Sequence, residues 1–215
     1  MMILPEDKDL ARAVEFTIEA DKMKSILRRS SIYDGTRREN DAEHSFHLSL
    51  MALIFEKYAP EGTNMLRVLK MLIVHDIVEI DAGDTFAYDK EGAKSKKTRE
   101  SAAADRLFSM IDGGDELRSL WEEFDEMKTT DALYAASLDR LQPFLSNCLN
   151  NGGTWFAGGV SKEDIMKRMA PVKEGLPAMW DTVVSLIEEN IKDGFIKENP
   201  PFQKKDRNTP FLKER

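Results

Sequence analysis

The chain is poor in several things, and each lack argues against a class of protein. It has one cysteine, Cys148, in 215 residues, so no intrachain disulfide can form, which suits a reducing compartment. No apolar run approaches the roughly 18 residues of a membrane span. The first dozen residues turn charged too early for a signal peptide, and the reading is therefore a cytoplasmic protein. An excess of cations is also missing: the formal net charge is -8. Non-specific nucleic-acid binding needs Lys and Arg to displace counterions from phosphates, so that class is disfavoured, although a few local cations could still hold a small phosphorylated ligand. No convincing alternating strand, repeat of 20–50 residues or low-complexity tract is found.

What is present is helical periodicity. At 41% hydrophobic residues the chain can bury one large core. Residues 8–29 put Leu10, Val14, Ile18 and Ile26 near one stripe, and residues 41–59 place His44, Leu48, Met51 and Phe55 at helical spacing behind Asp41 as N-cap. Residues 64–80 are apolar nearly all round, which predicts the central buried helix. Further helices are expected over 95–111, 115–127, 129–149 and 177–194, with one starting at Ser161 through a capping box to Asp164. Residues 81–92 and the four-glycine stretch 150–160 read as loops. The expectation is a compact all-α bundle over residues 1–195, followed by a Pro-rich charged tail, 196–215, that is extended or disordered. The apolar surplus on several helices also suggests a homodimer.

Polar residues interrupt that pattern in two places. MLIVHDIVEI, residues 71–80, sets His75, Asp76 and Glu79 inside an apolar segment, and Asp84 follows in the next loop. On a helix, His75 and Asp76 are about 100° apart and Glu79 shares their face. Unpaired buried carboxylates are costly, and no Lys or Arg shares that face closely, so a divalent cation is the economical partner. YAASLDRLQPFL, residues 134–145, sets Asp139 inside a second apolar helix. All three histidines, His44, His47 and His75, lie within 32 residues.

His44 in AEHSFH, His75–Asp76 in VHDIVE and Asp139 in SLDRLQP together resemble the H…HD…D pattern of the HD-domain phosphohydrolase superfamily. HDIVE followed by Gly83–Asp84, with an arginine ahead of the Glu43–His44 segment, is similar to its 5'-deoxynucleotidase-like branch. The resemblance spans roughly residues 10–190. It implies that His44, His75, Asp76 and Asp139 bind one divalent metal, and that Glu79 and Asp84 work on the attacking water or the leaving group. It also implies that Arg29, with Arg28 as the alternative register, contacts substrate phosphate. The branch carries a tryptophan after that arginine, associated with preference for the deoxy sugar, and this chain has Ser30. A two-His, two-carboxylate set suits Mn, Co, Fe, Ni or Zn.

The function implied is a metal-dependent phosphohydrolase acting on a small phosphomonoester, foremost a nucleoside 5'-monophosphate. The rival is a metal-containing nucleotide-sensing module without turnover, and an alarmone or cyclic-nucleotide hydrolase shares the same metal logic. His47 reads as a packed histidine, the Lys94, Lys96, Lys97 and Arg99 run as a solvated helix start, Trp155 as a loop anchor, and Cys148 as a buried thiol.

Overall fold

The computed structural model describes residues 3–197. Its frame is helical. Asp7 caps α1 (Lys8–Ala20) by accepting from the Leu10 amide. The apolar spacing continues to Ile26, but the α-helix does not: a 3-10 turn over Asp21–Ser25 hands the chain to β1 (Leu27–Ser31). β1 pairs antiparallel with β2 (Arg38–Asn40). This hairpin corrects the expectation of a helix through residue 29 and of no strand. Its signal is Asp34–Gly35, a turn pair in which Gly35 takes a positive φ and Asp34 accepts from the Thr36 amide and hydroxyl. The pairing shifts register between Leu27 and Ser31, the mark of a bulge.

Asn40, not Asp41, caps α2 (Asp41–Phe55), in a capping box with Glu43. Asp41 is thereby drawn inside, fully buried. A 3-10 turn, Glu56–Tyr58, leads to α3 (Met65–Val74), which packs against α2. α3 leaves Leu66 and Ile73 exposed, so it is not the all-round buried helix expected over 64–80. It also stops early: residues 75–78 form a turn before the short α4 (Glu79–Ala82). The central element is α7 (Thr130–Leu149), buried without interruption from Tyr134 to Gln142.

α5 (Ala93–Phe108) and α6 (Gly114–Glu126) close one side. Beyond α7 the expected loop contains α8 (Gly153–Gly158), whose Trp155 is buried against Phe144. α9 (Lys162–Met169) begins with the predicted Ser161–Asp164 capping box. α10 (Val172–Gly175) crosses α7 so closely that a Cβ on Gly175 would meet the Leu133 carbonyl oxygen at 2.2 Å. α11 (Trp180–Lys192) ends the bundle. Ile196 is buried, and the Lys197 carbonyl accepts from the Lys162 amide. The rest of the tail lies outside the described residues. Among the described residues no helix is long and apolar enough to cross a membrane.

Candidate metal centre

Three elements bring four side chains to one point. α2 brings His44 from its first turn, the α3–α4 turn brings His75 and Asp76, and α7 brings Asp139. His44 Nε2 lies 3.1 Å from Asp139 Oδ1. His75 Nε2 lies 3.1 Å from Asp76 Oδ2 and 3.8 Å from Asp139 Oδ1. The two rings sit 5.6 Å apart, centre to centre, and all four residues are buried.

The hydrogen bonds behind the rings fix their tautomers. His75 Nδ1 is 3.0 Å from the Leu72 carbonyl oxygen, which can only accept, so Nδ1 carries the proton. Its Nε2 then faces the cluster, buried and without a hydrogen-bond partner. His44 Nδ1 is 3.1 Å from Gln142 Oε1, whose amide nitrogen in turn donates to Glu39 Oε1 at 2.9 Å. Both Nδ1 atoms are engaged from outside, which is how ligating imidazoles are oriented. An orphaned buried Nε2 beside two carboxylates fits a divalent cation.

The electrostatics carry the same mark. Asp139 is held well below the usual carboxylate range: burial alone would raise it, but the hydrogen bond from His44 and the charge of Arg168 outweigh that. Asp76 is likewise lowered against its burial, by His75 and Arg28. His44 is pushed up to about 9; burial and Arg28 oppose this, and Asp139 and Glu39 prevail.

Beside this cluster three more carboxylates, Asp41, Glu79 and Asp84, come within 4.8 Å of one another. Glu79 is pushed up to about 11 by burial and then by the neighbouring charges of Asp76, Asp41 and Asp84. Asp41 rises to about 7 through burial and Asp76, with Arg28 pulling the other way. Asp84 also rises, chiefly from burial. A carboxyl that keeps its proton near neutrality is equipped to donate it.

β1 decides which arginine reaches inside. Arg28 donates to Asp76 Oδ2 at 2.7 Å and to Asp41 Oδ1 at 3.3 Å. Arg29, the residue expected to hold phosphate, is exposed, because successive side chains of a strand point to opposite faces. Both arginines border the same cleft, and Ser30 is buried in its wall. That cleft encloses some 1150 Å³, counting the solvent at its mouth. Phe86, Tyr88, Trp121, Phe124 and Trp155 line it.

Sequence reasoning passed over several participants. Glu39, Asp41 and Gln142 carry no motif by themselves, and only the fold reveals their bonds. The basic run divides: Lys94 pairs with Glu91 on the surface, while Lys96 enters the cleft 3.4 Å from Glu100. Arg99 binds the Ala82 carbonyl and Thr85 Oγ1, bracing the loop that carries Asp84. His47 is half-buried as a packed residue, against Tyr33 at 4.9 Å.

Against known families, the HD domain matches residues 20–180, three quarters of the chain. The chain belongs to the HD domain family. The HD-domain resemblance read from His44, His75–Asp76 and Asp139 therefore holds.

Relatives of this HD domain include 5'-deoxynucleotidase HDDC2 of Dictyostelium discoideum, 25% identical over 144 residues, with 63% of this chain and 76% of that protein covered. HDDC2 of Danio rerio is 26% identical over 132 residues, covering 60% of this chain and 64% of the relative, under two thirds of its length. Among solved structures, a "predicted metal-dependent phosphohydrolase" of Magnetospirillum magnetotacticum MS-1 superimposes with a TM-score of 0.86 at 40% identity, over 91% of this chain and 100% of that one. A conserved hypothetical protein of Pyrococcus furiosus, at 19% identity and a TM-score of 0.52 over 83% of this chain and 99% of that one, shares the fold.

Proposed function

We propose that this HD domain is a metal-dependent phosphohydrolase releasing phosphate from a small phosphomonoester, foremost a nucleoside 5'-monophosphate. The observation that carries this is the pair of tautomer-fixed Nε2 atoms, one of them orphaned, facing two carboxylates within a deep cleft. His44, His75, Asp76 and Asp139 would hold one divalent ion, with Mn, Co, Fe, Ni and Zn all compatible with the donor set. Such an ion lowers the pKa of bound water and neutralises charge on a phosphoryl oxygen.

The chain's own residues supply the rest. Glu79, protonated in its buried carboxylate cluster, donates to the departing ester oxygen. Asp84, half-buried at the start of the loop, orients the water. Arg29 at the rim and Lys96 on α5 offer donors to the remaining phosphate oxygens, while Arg28 keeps Asp76 and Asp41 charge-balanced. The aromatic lining offers flat surfaces to a base. The names of the HDDC2 relatives support the nucleotide class.

The test is phosphate release from deoxy- and ribonucleoside monophosphates and other phosphomonoesters. The protein is stripped of metal and then supplied with each ion in turn. Turnover restored by one or two metals, and lost in His75→Ala and Asp139→Asn, is the expected result. Stoichiometric nucleotide binding with no release under any metal would replace the enzyme with the sensor.

A further inference from the structure

Asp139 has more cations around it than its charge requires. Its Oδ1 lies 3.1 Å from His44 Nε2 and 3.8 Å from His75 Nε2. Its Oδ2 lies 3.4 Å from Nη1 of Arg140, the next residue on α7, and 3.2 Å from Nη2 of Arg168, which comes from α9. The two arginines differ. Arg140 is buried, and its other bonds, to the Ala136 carbonyl oxygen and the Met127 sulfur, hold it inside the protein as a brace for the carboxylate. The Arg168 side chain is 33% exposed and borders the cleft. A guanidinium carries a planar fork of N–H donors. Among the described residues only Nη2 of Arg168 is engaged, and by Asp139 alone.

α9 holds that fork in place. The Ser161–Asp164 box fixes its first turn, and Ile165 and Met169 anchor its inner face in the core. Arg168 therefore stands on a packed helix, and the edge of its guanidinium away from Asp139 is left to the cleft. Lys96 on α5 borders the same cleft, with Glu100 beside it at 3.4 Å. Lys96 and Arg168 lie within reach of each other's charge. Like charges in one cleft repel, and an anion between them removes that cost. The gathering is local, since the formal net charge of the chain is -8.

A doubly charged phosphoryl group, with acceptor oxygens on several sides, suits a planar arginine fork and an ammonium. We propose that Arg168 is a substrate-binding residue: one end of its guanidinium stays on Asp139, and its free edge donates to a non-bridging oxygen of the substrate's phosphoryl group. The assignment rests on the phosphohydrolase reading above and adds to Arg29 and Lys96 a contact tied directly to a member of the metal cluster. The rival role is a second brace for Asp139. The two roles differ in what a variant loses: a lost brace weakens the metal, and a lost substrate contact weakens phosphate.

Inorganic phosphate is the probe, because it carries the recognised group alone. It is titrated calorimetrically into the full chain loaded in turn with Mn, Co or Zn, and metal affinity is read separately by chelator competition. Arg168→Met keeps similar length without charge. It should weaken phosphate binding about 10–100-fold, the loss of a charge-assisted hydrogen bond. Its metal affinity should stay clear of the about 10–100-fold fall that follows loss of a ligand's outer partner. Arg168→Lys keeps the charge without the fork and should recover part of the phosphate affinity; it carries the test alone if the Met variant does not fold. Phosphate affinity unchanged in both variants, or metal affinity falling as far as phosphate affinity, would overturn the proposal and leave Arg168 a brace, even with phosphomonoesters still turned over. A loaded wild-type chain that binds no phosphate would overturn it too. Phosphate binding that depends on Arg168 in a chain releasing phosphate from no phosphomonoester would sink the enzyme reading and leave the anion contact standing.

Discussion

Gln142 shows how much a site can depend on a residue without chemistry of its own. Its amide is fully buried and has both ends engaged, accepting from His44 Nδ1 and donating to Glu39. Rotating the amide would set its NH2 group against a ring N–H, so the network admits one orientation. That orientation leaves Nε2, which donates to Asp139 in the metal-free site, as the nitrogen that would give up its proton to a metal. Gln142→Leu keeps similar bulk but removes the acceptor, freeing His44 to change tautomer or turn. Metal affinity, measured by chelator competition, should fall about 10–100-fold, the usual effect of losing an outer partner of a ligand. Turnover at saturating metal should change much less. Unchanged affinity would mean that Asp139 alone orients the ring.

At the scale of elements, the site sits where regular structure stops. α3 ends at Val74 and the chain turns over residues 75–78 before α4. His75 and Asp76 therefore converge through a turn, not along a helix face, although the HD pair itself is plain in the sequence. The capping box at Ser161, the extents of α5 to α7 and the three histidine positions were legible because caps, apolar period and residue type are local signals. β1 was not legible: LRRSS has no apolar alternation, and its place is set by pairing with β2 and by contact with α7. Asp41 was read as an N-cap and Glu39 carried no signal of its own, because their burial arises only when the hairpin folds across α2.

That hairpin separates Arg28 from Arg29, and a pair of variants distinguishes them. Arg28→Ala strips the partner from Asp76 and Asp41 and should cost about 3 kcal/mol in urea unfolding of the metal-free protein, as when one member of a buried ion pair is lost. Arg29→Ala should stay within about 0.5 kcal/mol, as an exposed substitution does, and raise KM without comparable loss of kcat. Equal destabilisation by both would contradict the inward aim of Arg28.

For the whole molecule, the concentration of acids around two imidazoles ties stability to pH and metal together. Glu79, Asp41 and His44 all have folded-state pKa values raised, to about 11, 7 and 9. A group raised in this way stabilises the fold below its unfolded value, and that contribution drains away as pH rises through the folded value. Asp76 and Asp139 are lowered, so their contribution is lost only as pH falls through the acid range. Without metal, therefore, the melting temperature should fall steadily from about pH 6 to about pH 9, where Asp41 and His44 lose their protons and Glu79 begins to. Metal reverses the balance. It needs both Nε2 lone pairs and ionised carboxylates, so its affinity rises as those protons leave, and tighter binding adds stability by mass action. The gap between metal-loaded and metal-free melting temperatures should widen over the same interval. Thermal melts of both forms across that range check this. A flat metal-free profile would show that the acids are relieved by charges other than protons, and a gap that narrows with pH would argue against ligation through His44.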